Sequence, residues 1–409
     1  MENKMSTQHN LMSVKSSLLL RPHPYRNEGP KGYLSRLAEA NWVLPGQLQD
    51  IGLIYELGTL VNEGLMPIKE LDPDLHRSVW YYSELLFNKK RVWNHQHPRF
   101  CPHCLSDDPY WRVEWELLFH DACSVHDTWL VDQCSSCASH LKWNRELIIR
   151  CSCGADLRAE QTSKCPDNVS RLSGLLKNKI SLNANHSGYV QPFTCTDIEQ
   201  TQRIIRYLGS YMSLAAGKNP LKIQRAGLMI NSWPVTSLAA EILSDWPQAF
   251  YQSLEKIQIE VKSSKPTLST VFGQAYHYLY KGLKGNDFRE IREAFEKWLS
   301  SSWKGGLAKR NKRLAEKILE NAEWIPGNLA CDMLGISHQR LEFLIKQNVI
   351  EAEIYWSEKG RKYVMVRRDS FDIVKGNLNA EVDMKTAGAL LGLCKKRMRQ
   401  LMRMLFPEA

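Results

Sequence analysis

The spacing of apolar residues divides the chain into stretches of different period. Residues 1 to 17 are polar and aperiodic and predict a disordered lead. Beyond Leu19, Pro22, Pro24 and Pro30 forbid helix until about Lys31, because proline lacks an amide hydrogen and clashes with the preceding turn. Tyr33, Leu34, Leu37 and Ala38 then recur at helical spacing. Leu44-Pro45-Gly46 makes a break, and Leu48, Ile51, Ile54 and Leu57 mark a second helix. Two short helices around a tight turn predict a helix-turn-helix or a plain helical hairpin over residues 18–97.

From about Asp197 to Lys317 the period is again helical. Ile198, Ile204, Ile205, Leu208 and Met212 form one stripe. Leu238, Ile242, Leu243, Trp246, Phe250 and Leu254 form another, and Phe288, Ile291, Phe295 and Leu299 a third. Amphipathic helices that each bury one face predict an all-α middle domain over residues 167–320. It closes on the basic, glycine-containing run from Trp303 to Arg313, either a solvated hinge or a phosphate contact.

In the tail, residues Gly327 to Leu334 read as a helix, Gly335-Ile336-Ser337 as a turn and His338 to Gln347 as a second helix capped by Ser337. Leu334, Ile336, Leu341, Leu344 and Ile345 supply the inner faces. Ile354-Tyr355-Trp356 and Tyr363 to Val366 flank a Lys-Gly turn as a β-hairpin, which predicts a winged helix-turn-helix over residues 321–376. There Gln339 and Arg340 would meet base edges, and Arg361, Lys362, Arg367 and Arg368 would lie along the wing near phosphates. The alternative is a helix-turn-helix that serves protein contacts. Residues 377–409 repeat the pattern, Thr386 to Cys394 and then Lys395 to Leu401, with Lys395, Lys396, Arg397 and Arg399 crowding the second helix. This suits nucleic acid; a basic amphipathic helix docking on an acidic protein has the same pattern.

Composition adds little until it is resolved along the chain. The 409 residues allow several domains, and no apolar run approaches the ~20 residues that span a bilayer. Leu18-Leu19-Leu20 is too short for a secretory signal, so a cytoplasmic location is expected. Net charge is +10, and residues 303–409 carry 20 Lys/Arg against 13 Asp/Glu, so most of the excess sits at the carboxy-terminal end.

The chemistry is concentrated between Cys101 and Cys153. Eight thiol or imidazole groups fall there in four close pairs: Cys101/Cys104, Cys123/His126, Cys134/Cys137 and Cys151/Cys153. A Cys-x-x-Cys pair aims two sulfurs at one point and supplies half of a tetrahedral zinc site. The first two pairs predict a site of three cysteines and one histidine, the last two an all-cysteine site. Both would be structural Zn2+ sites within two lobes over residues 98–166. A disulfide set is the alternative, and reduced intracellular thiols disfavour it. His103, His120 and His140 lie nearby, Cys165 is a substitute for Cys153, and Cys195, Cys331 and Cys394 read as lone core residues. Tyr110 to Trp115 would pack against the lobes as scaffold. The fold class expected is mainly α, with these lobes between helical regions.

In this order the pieces resemble the TniQ/TnsD family of transposon target-selection proteins. The resemblance runs from Leu19 to Arg313. It rests on Arg21-Pro22-His23-Pro24-Tyr25, Leu34-Ser35-Arg36-Leu37, the cysteine and histidine series, Asp245 to Phe250 and Trp303 to Gly306. It implies a non-catalytic adaptor that marks target DNA and helps recruit an AAA+ ATPase, which brings the transposase. Shorter members ride on an RNA-guided CRISPR Cascade complex as head-to-tail homodimers. Longer ones read an attachment site directly. The short tail is like the first type, and the paired carboxy-terminal helix-turn-helix units are like the second. A winged-helix transcription regulator would leave the cysteine lobes and helical region unexplained. No glycine-rich phosphate loop or HExxH is present, and scattered carboxylates such as Asp245 or Asp332 cannot be assembled into a metal-binding triad from the sequence, which disfavours a nuclease or transposase.

Overall fold

The computed structural model of the chain describes residues 20, 22–50, 92–94, 96–181, 192–193, 196–213, 220–261, 267–305, 307, 322–356, 360–380 and 384–405. Over these the protein is mainly helical. It forms two compact units, Met1–Ser253 with Leu283–Glu290, and Leu254–Gly282 with Ile291–Ala409.

In the first unit, α1 (Pro30–Ala40) begins with Pro30, whose missing amide costs nothing at the first helical position. Tyr33, Leu37 and Ala38 are its buried face. A single helical turn follows at Gln47–Asp50. The rest of the predicted second helix, with Ile51, Ile54 and Leu57, lies outside the described residues. Residues 98–166 hold α2 (Pro102–Asp107), short 3-10 helices at Val113–Glu116 and Leu157–Ala159, the paired strands β1 (Ala122–Cys123) and β2 (Thr128–Trp129), and turns. Phe100, Leu105, Trp111, Trp115, Leu141 and Ile148 share one core with the lobe cysteines. Trp111 and Trp115 meet edge-on at 5.6 Å, as scaffold.

Beyond the lobes come α3 (Asp167–Ile180), α4 (Ile198–Arg206) and α5 (Met229–Ser244), with α3 and α4 both packed on α5. Asp197 caps α4 in a capping box with Gln200, which settles two otherwise unpaired amides. The helix loosens into a π-turn at Tyr207–Tyr211 that lies on α5. Gly209 permits this approach, because a Cβ there would sit 2.0 Å from the Val235 carbonyl oxygen. The stripe Ile198, Ile204, Ile205, Leu208 and Met212 is buried, as its spacing predicts.

Two helices, α6 (Gln248–Glu260) and α8 (Arg289–Ser302), contribute residues to both units. Within the second unit, Phe272, just before α7 (Gly273–Lys281), centres an aromatic cluster. The rings of Phe295, Trp298 and Trp303 lie 5.5, 5.6 and 5.6 Å from it.

The same unit contains the predicted winged helix. It runs β3 (Trp324–Pro326), α9 (Gly327–Leu334), α10 (His338–Lys346), β4 (Ala352–Trp356), β5 (Lys362–Arg367) and α11 (Arg368–Ala380). The strands order β3–β5–β4, all antiparallel. Gly335 ends α9 in the left-handed conformation (φ 65°), which glycine adopts without a Cβ clash. The Ser337 hydroxyl accepts from the Arg340 amide and starts α10. Ile325, Ala330, Cys331, Leu341, Ile350, Val366, Phe371 and Val374 form the core. A helical pair, α12 (Met384–Leu390) and α13 (Lys395–Leu405), follows, with Met398 buried.

Of the lone cysteines, Cys331 is a core residue as expected and Cys195 lies outside the described residues. Cys394 corrects the expectation: it precedes basic α13 on a solvent face and is exposed. Among the described residues no helix is long and apolar enough to cross a membrane.

Candidate metal centres

Local backbone geometry brings the first four ligands together. Cys101 is the N-cap of α2 and Cys104 lies in its first turn. A tight turn between β1 and β2, closed by the Asp127 amide donating to the Cys123 carbonyl and by Asp127 at φ 52°, returns Cys123 and His126 to the same point. Cys104 Sγ lies 3.5 Å from Cys123 Sγ. His126 Nδ1 lies 3.6, 3.2 and 3.7 Å from the sulfurs of Cys101, Cys104 and Cys123.

The second four are gathered by two knuckles. In one, the Ala138 amide donates to the Cys134 carbonyl; in the other, the Gly154 amide donates to the Cys151 carbonyl, with Gly154 at φ 91°. Sγ separations are 3.8 Å for Cys134–Cys153 and 3.7 Å for Cys137–Cys151. The Glu160 carboxylate fixes the first knuckle by accepting from the Ser135 amide at 3.0 and 3.1 Å.

These spacings fit a metal. Tetrahedral zinc with bonds of about 2.3 Å to sulfur and about 2.0 Å to nitrogen places sulfurs about 3.8 Å apart, and sulfur and nitrogen about 3.6 Å apart. In each group the four ligand atoms lie within 4.8 Å of one another, so both can hold a metal ion. The described cysteines are free thiols, not disulfides.

The nearby alternatives separate cleanly. Cys153 lies in the second group, whereas Cys165 is outside it, a buried thiol pushed up to about 11 by burial. The His103 ring lies 5.4 Å from that of His126 but is not in the first group. His120 is buried and burial pushes it down to about 3, so it is a neutral core imidazole. His140 faces Asp132 at 3.7 Å.

Side chains that sequence spacing did not single out hold the lobes in place. His126 Nε2 faces the Asp107 carboxylate at 3.3 Å, which orients the ring and leaves Nδ1 for the sulfurs. Buried Arg99 pairs with buried Asp121, and its guanidinium donates to the Ala226 and Gly227 carbonyls before α5. Asp121 also accepts from Ser232 (2.9 Å) and Thr236 of α5. Asp132 caps the same helix by accepting from the Met229 amide at 2.8 Å.

The amino-terminal segment is fastened to the first lobe in two ways. Buried Glu116 accepts from the Lys31 and Gly32 amides at the start of α1. A ladder of rings and guanidinium groups also joins them: Arg36 over Tyr25 (4.7 Å), Tyr25 stacked on Tyr110 (4.2 Å), and Arg112 over Tyr110 (4.9 Å) and Trp115 (5.2 Å). The only signals in the sequence were Arg99 next to the first knuckle and the alternation of arginine with aromatics.

The residues expected at nucleic acid fall into two sets. Gln339 and Arg340 are exposed on the first turn of α10, with Arg340 over the Phe343 ring at 5.3 Å. On the wing, Arg361 is exposed, Lys362 pairs with Glu342 at 2.9 Å, and Arg367 faces Glu351 at 3.0 Å and Glu323 and Asp369 at 3.7 Å. Arg368 donates to the Ala322 carbonyl at 2.6 Å. By contrast, Lys395, Lys396, Arg397 and Arg399 are all exposed on the one helix α13.

Fold and centres define a mainly helical protein in which an irregular, cysteine-rich segment with two four-ligand groups is clamped to α5. Residues 19–130 match the TniQ family model, a stretch that takes in the proline-rich strap, α1 and the first ligand group. A TniQ domain points to a role in transposon target selection. No curated protein matches the chain.

Proposed function

We propose that this protein is a non-catalytic target-selection adaptor of a Tn7-like transposon, working in the bacterial cytoplasm. In this reading it links a CRISPR Cascade effector and its guide RNA, at the target DNA, to the AAA+ ATPase that recruits the transposase. It would act as a head-to-tail homodimer. The observation that carries the reading is the TniQ match over residues 19–130. Two structural Zn2+ ions would be held by Cys101, Cys104, Cys123 and His126, and by Cys134, Cys137, Cys151 and Cys153. Four protein ligands at each leave no open position for substrate, which supports a scaffold role.

A second reading, direct recognition of an attachment site, is favoured by exposed Lys395, Lys396, Arg397 and Arg399 on α13, the set best placed for phosphates. Purifying the tagged protein from cells carrying its transposon decides between them. A single guide RNA species with Cascade subunits is the expected outcome. An RNA-free protein that footprints one defined duplex would establish direct reading, and recovery of neither would overturn the adaptor role.

A further inference from the structure

The positive charge of the carboxy-terminal part bypasses the winged helix. Residues 322–380 hold eight Lys/Arg and eight Asp/Glu, against six and two over residues 303–321 and six and three over residues 381–409. Affinity for a duplex comes chiefly from cations that neutralise phosphates. Here Lys362 and Arg367 already face carboxylates, and Arg368 a carbonyl. Besides Gln339, Arg340 and Arg361, α10 and the wing expose large apolar side chains: Phe343 is 49%, Ile354 44% and Trp356 60% exposed.

The wing also has an open edge. In the order β3–β5–β4, β4 pairs only with β5, and among the described residues no strand covers its other side. The Arg367 amide donates to the Glu351 carbonyl, and the register pairs Ala352 with Val366 and Ile354 with Val364. Antiparallel ladders alternate bonded and non-bonded pairs. Ala352, Ile354 and Trp356 therefore turn their main-chain N–H and C=O groups outward. Edges are usually blunted by proline, lysine or a bulge, and the sequence Ala-Glu-Ile-Tyr-Trp has none. Outward main-chain groups and exposed apolar side chains thus belong to the same residues.

We infer that the winged helix is a protein-docking module that takes an extended segment of a partner protein as a fourth strand on β4. Main-chain hydrogen bonds to Ala352, Ile354 and Trp356 hold the segment, and its alternate apolar side chains pack beside Ile354 and Trp356. A polyanion does not satisfy outward N–H and C=O groups that alternate along a strand, and it finds no net charge in this module.

The test uses the full chain, immobilised and panned with a random-peptide phage library, with a fluorescent mixed-sequence duplex as competitor. Ile354→Pro removes one outward amide and leaves every β4–β5 hydrogen bond, since proline is tolerated on edge strands. Enriched peptides are expected to alternate apolar residues and to bind this variant about tenfold more weakly, the loss of one hydrogen bond and its packing. Ile354→Val should bind as the parent does. A thermal melt checks folding, and if Ile354→Pro does not fold, Trp356→Ser is the variant whose affinity must drop. Failure to enrich any peptide, equal binding to the folded variants, or displacement of the peptides by the duplex would overturn the inference.

Discussion

His126 uses its two nitrogens differently: Nδ1 meets three sulfurs and Nε2 meets Asp107. A carboxylate behind a ligating imidazole fixes its tautomer and raises its basicity. Asp107→Ala is therefore expected to weaken zinc at the first site about tenfold, the low end for a partly exposed partner, and to leave the second site unchanged. Competition with a chromophoric chelator measures both. Glu116 behaves as a buried acid. Burial pushes its carboxyl from the ordinary 4.5 up to about 7, against the opposing pull of the Gly32 and Lys31 amides and the Lys31 charge. Below pH 4.5 it is protonated in folded and unfolded chains alike. Between 4.5 and 7 the unfolded chain has lost the proton that the folded chain keeps, so its contribution to stability falls as pH rises through that window. Glu116→Gln, which can still accept from the α1 amides, is expected to flatten this part of the melting-temperature profile. A profile identical to the parent's would show that Glu116 does not titrate there.

At the scale of elements, the Arg99–Asp121 pair fastens the first lobe to α5. Removing one partner of a buried pair strands the other charge, so Asp121→Asn is expected to cost about 3–5 kcal/mol in urea unfolding. The double variant Arg99→Met with Asp121→Leu should recover much of that loss, because no unpaired charge is then left inside. This clamp was not legible in the sequence, since Arg99 and Asp121 meet only after the lobe has folded onto residues 226–236. What was legible followed from short-range rules. The stripe from Ile198 to Met212 gave α4 but not the π-turn that ends it, Gly335 and Ser337 gave the turn before α10, and alternation gave the wing hairpin. Strand β3 was missed: Trp324-Ile325-Pro326 is too short to show alternation and exists because β5 pairs with it. Helix α11 was missed because its start at Arg368-Asp369 continues a strand without a break residue. The wing basics were legible as charges but not as pairs, because Glu323, Glu342 and Glu351 approach them only through the fold.

For the whole molecule, the ligand pairing is the part of the site most fully readable in advance. Four close pairs of ligands at knuckle spacing can close only a few ways, and the turns at Asp127 and Gly154 select the pairing 101/104/123/126 and 134/137/151/153. Lobes with so little regular structure would draw their folding energy from the two Zn2+ ions proposed above. Prolonged chelation is therefore expected to abolish the cooperative melt of the lobe-containing unit, and Cys134→Ser to remove one ion while the first site stays filled. The most direct measurement is native mass spectrometry of the full-length protein purified without added metal. Two zinc ions per chain with all cysteines reduced is the expected mass. A folded chain that carries no metal, or that has lost hydrogens to disulfides between these cysteines, would contradict a protein built on two closed zinc sites.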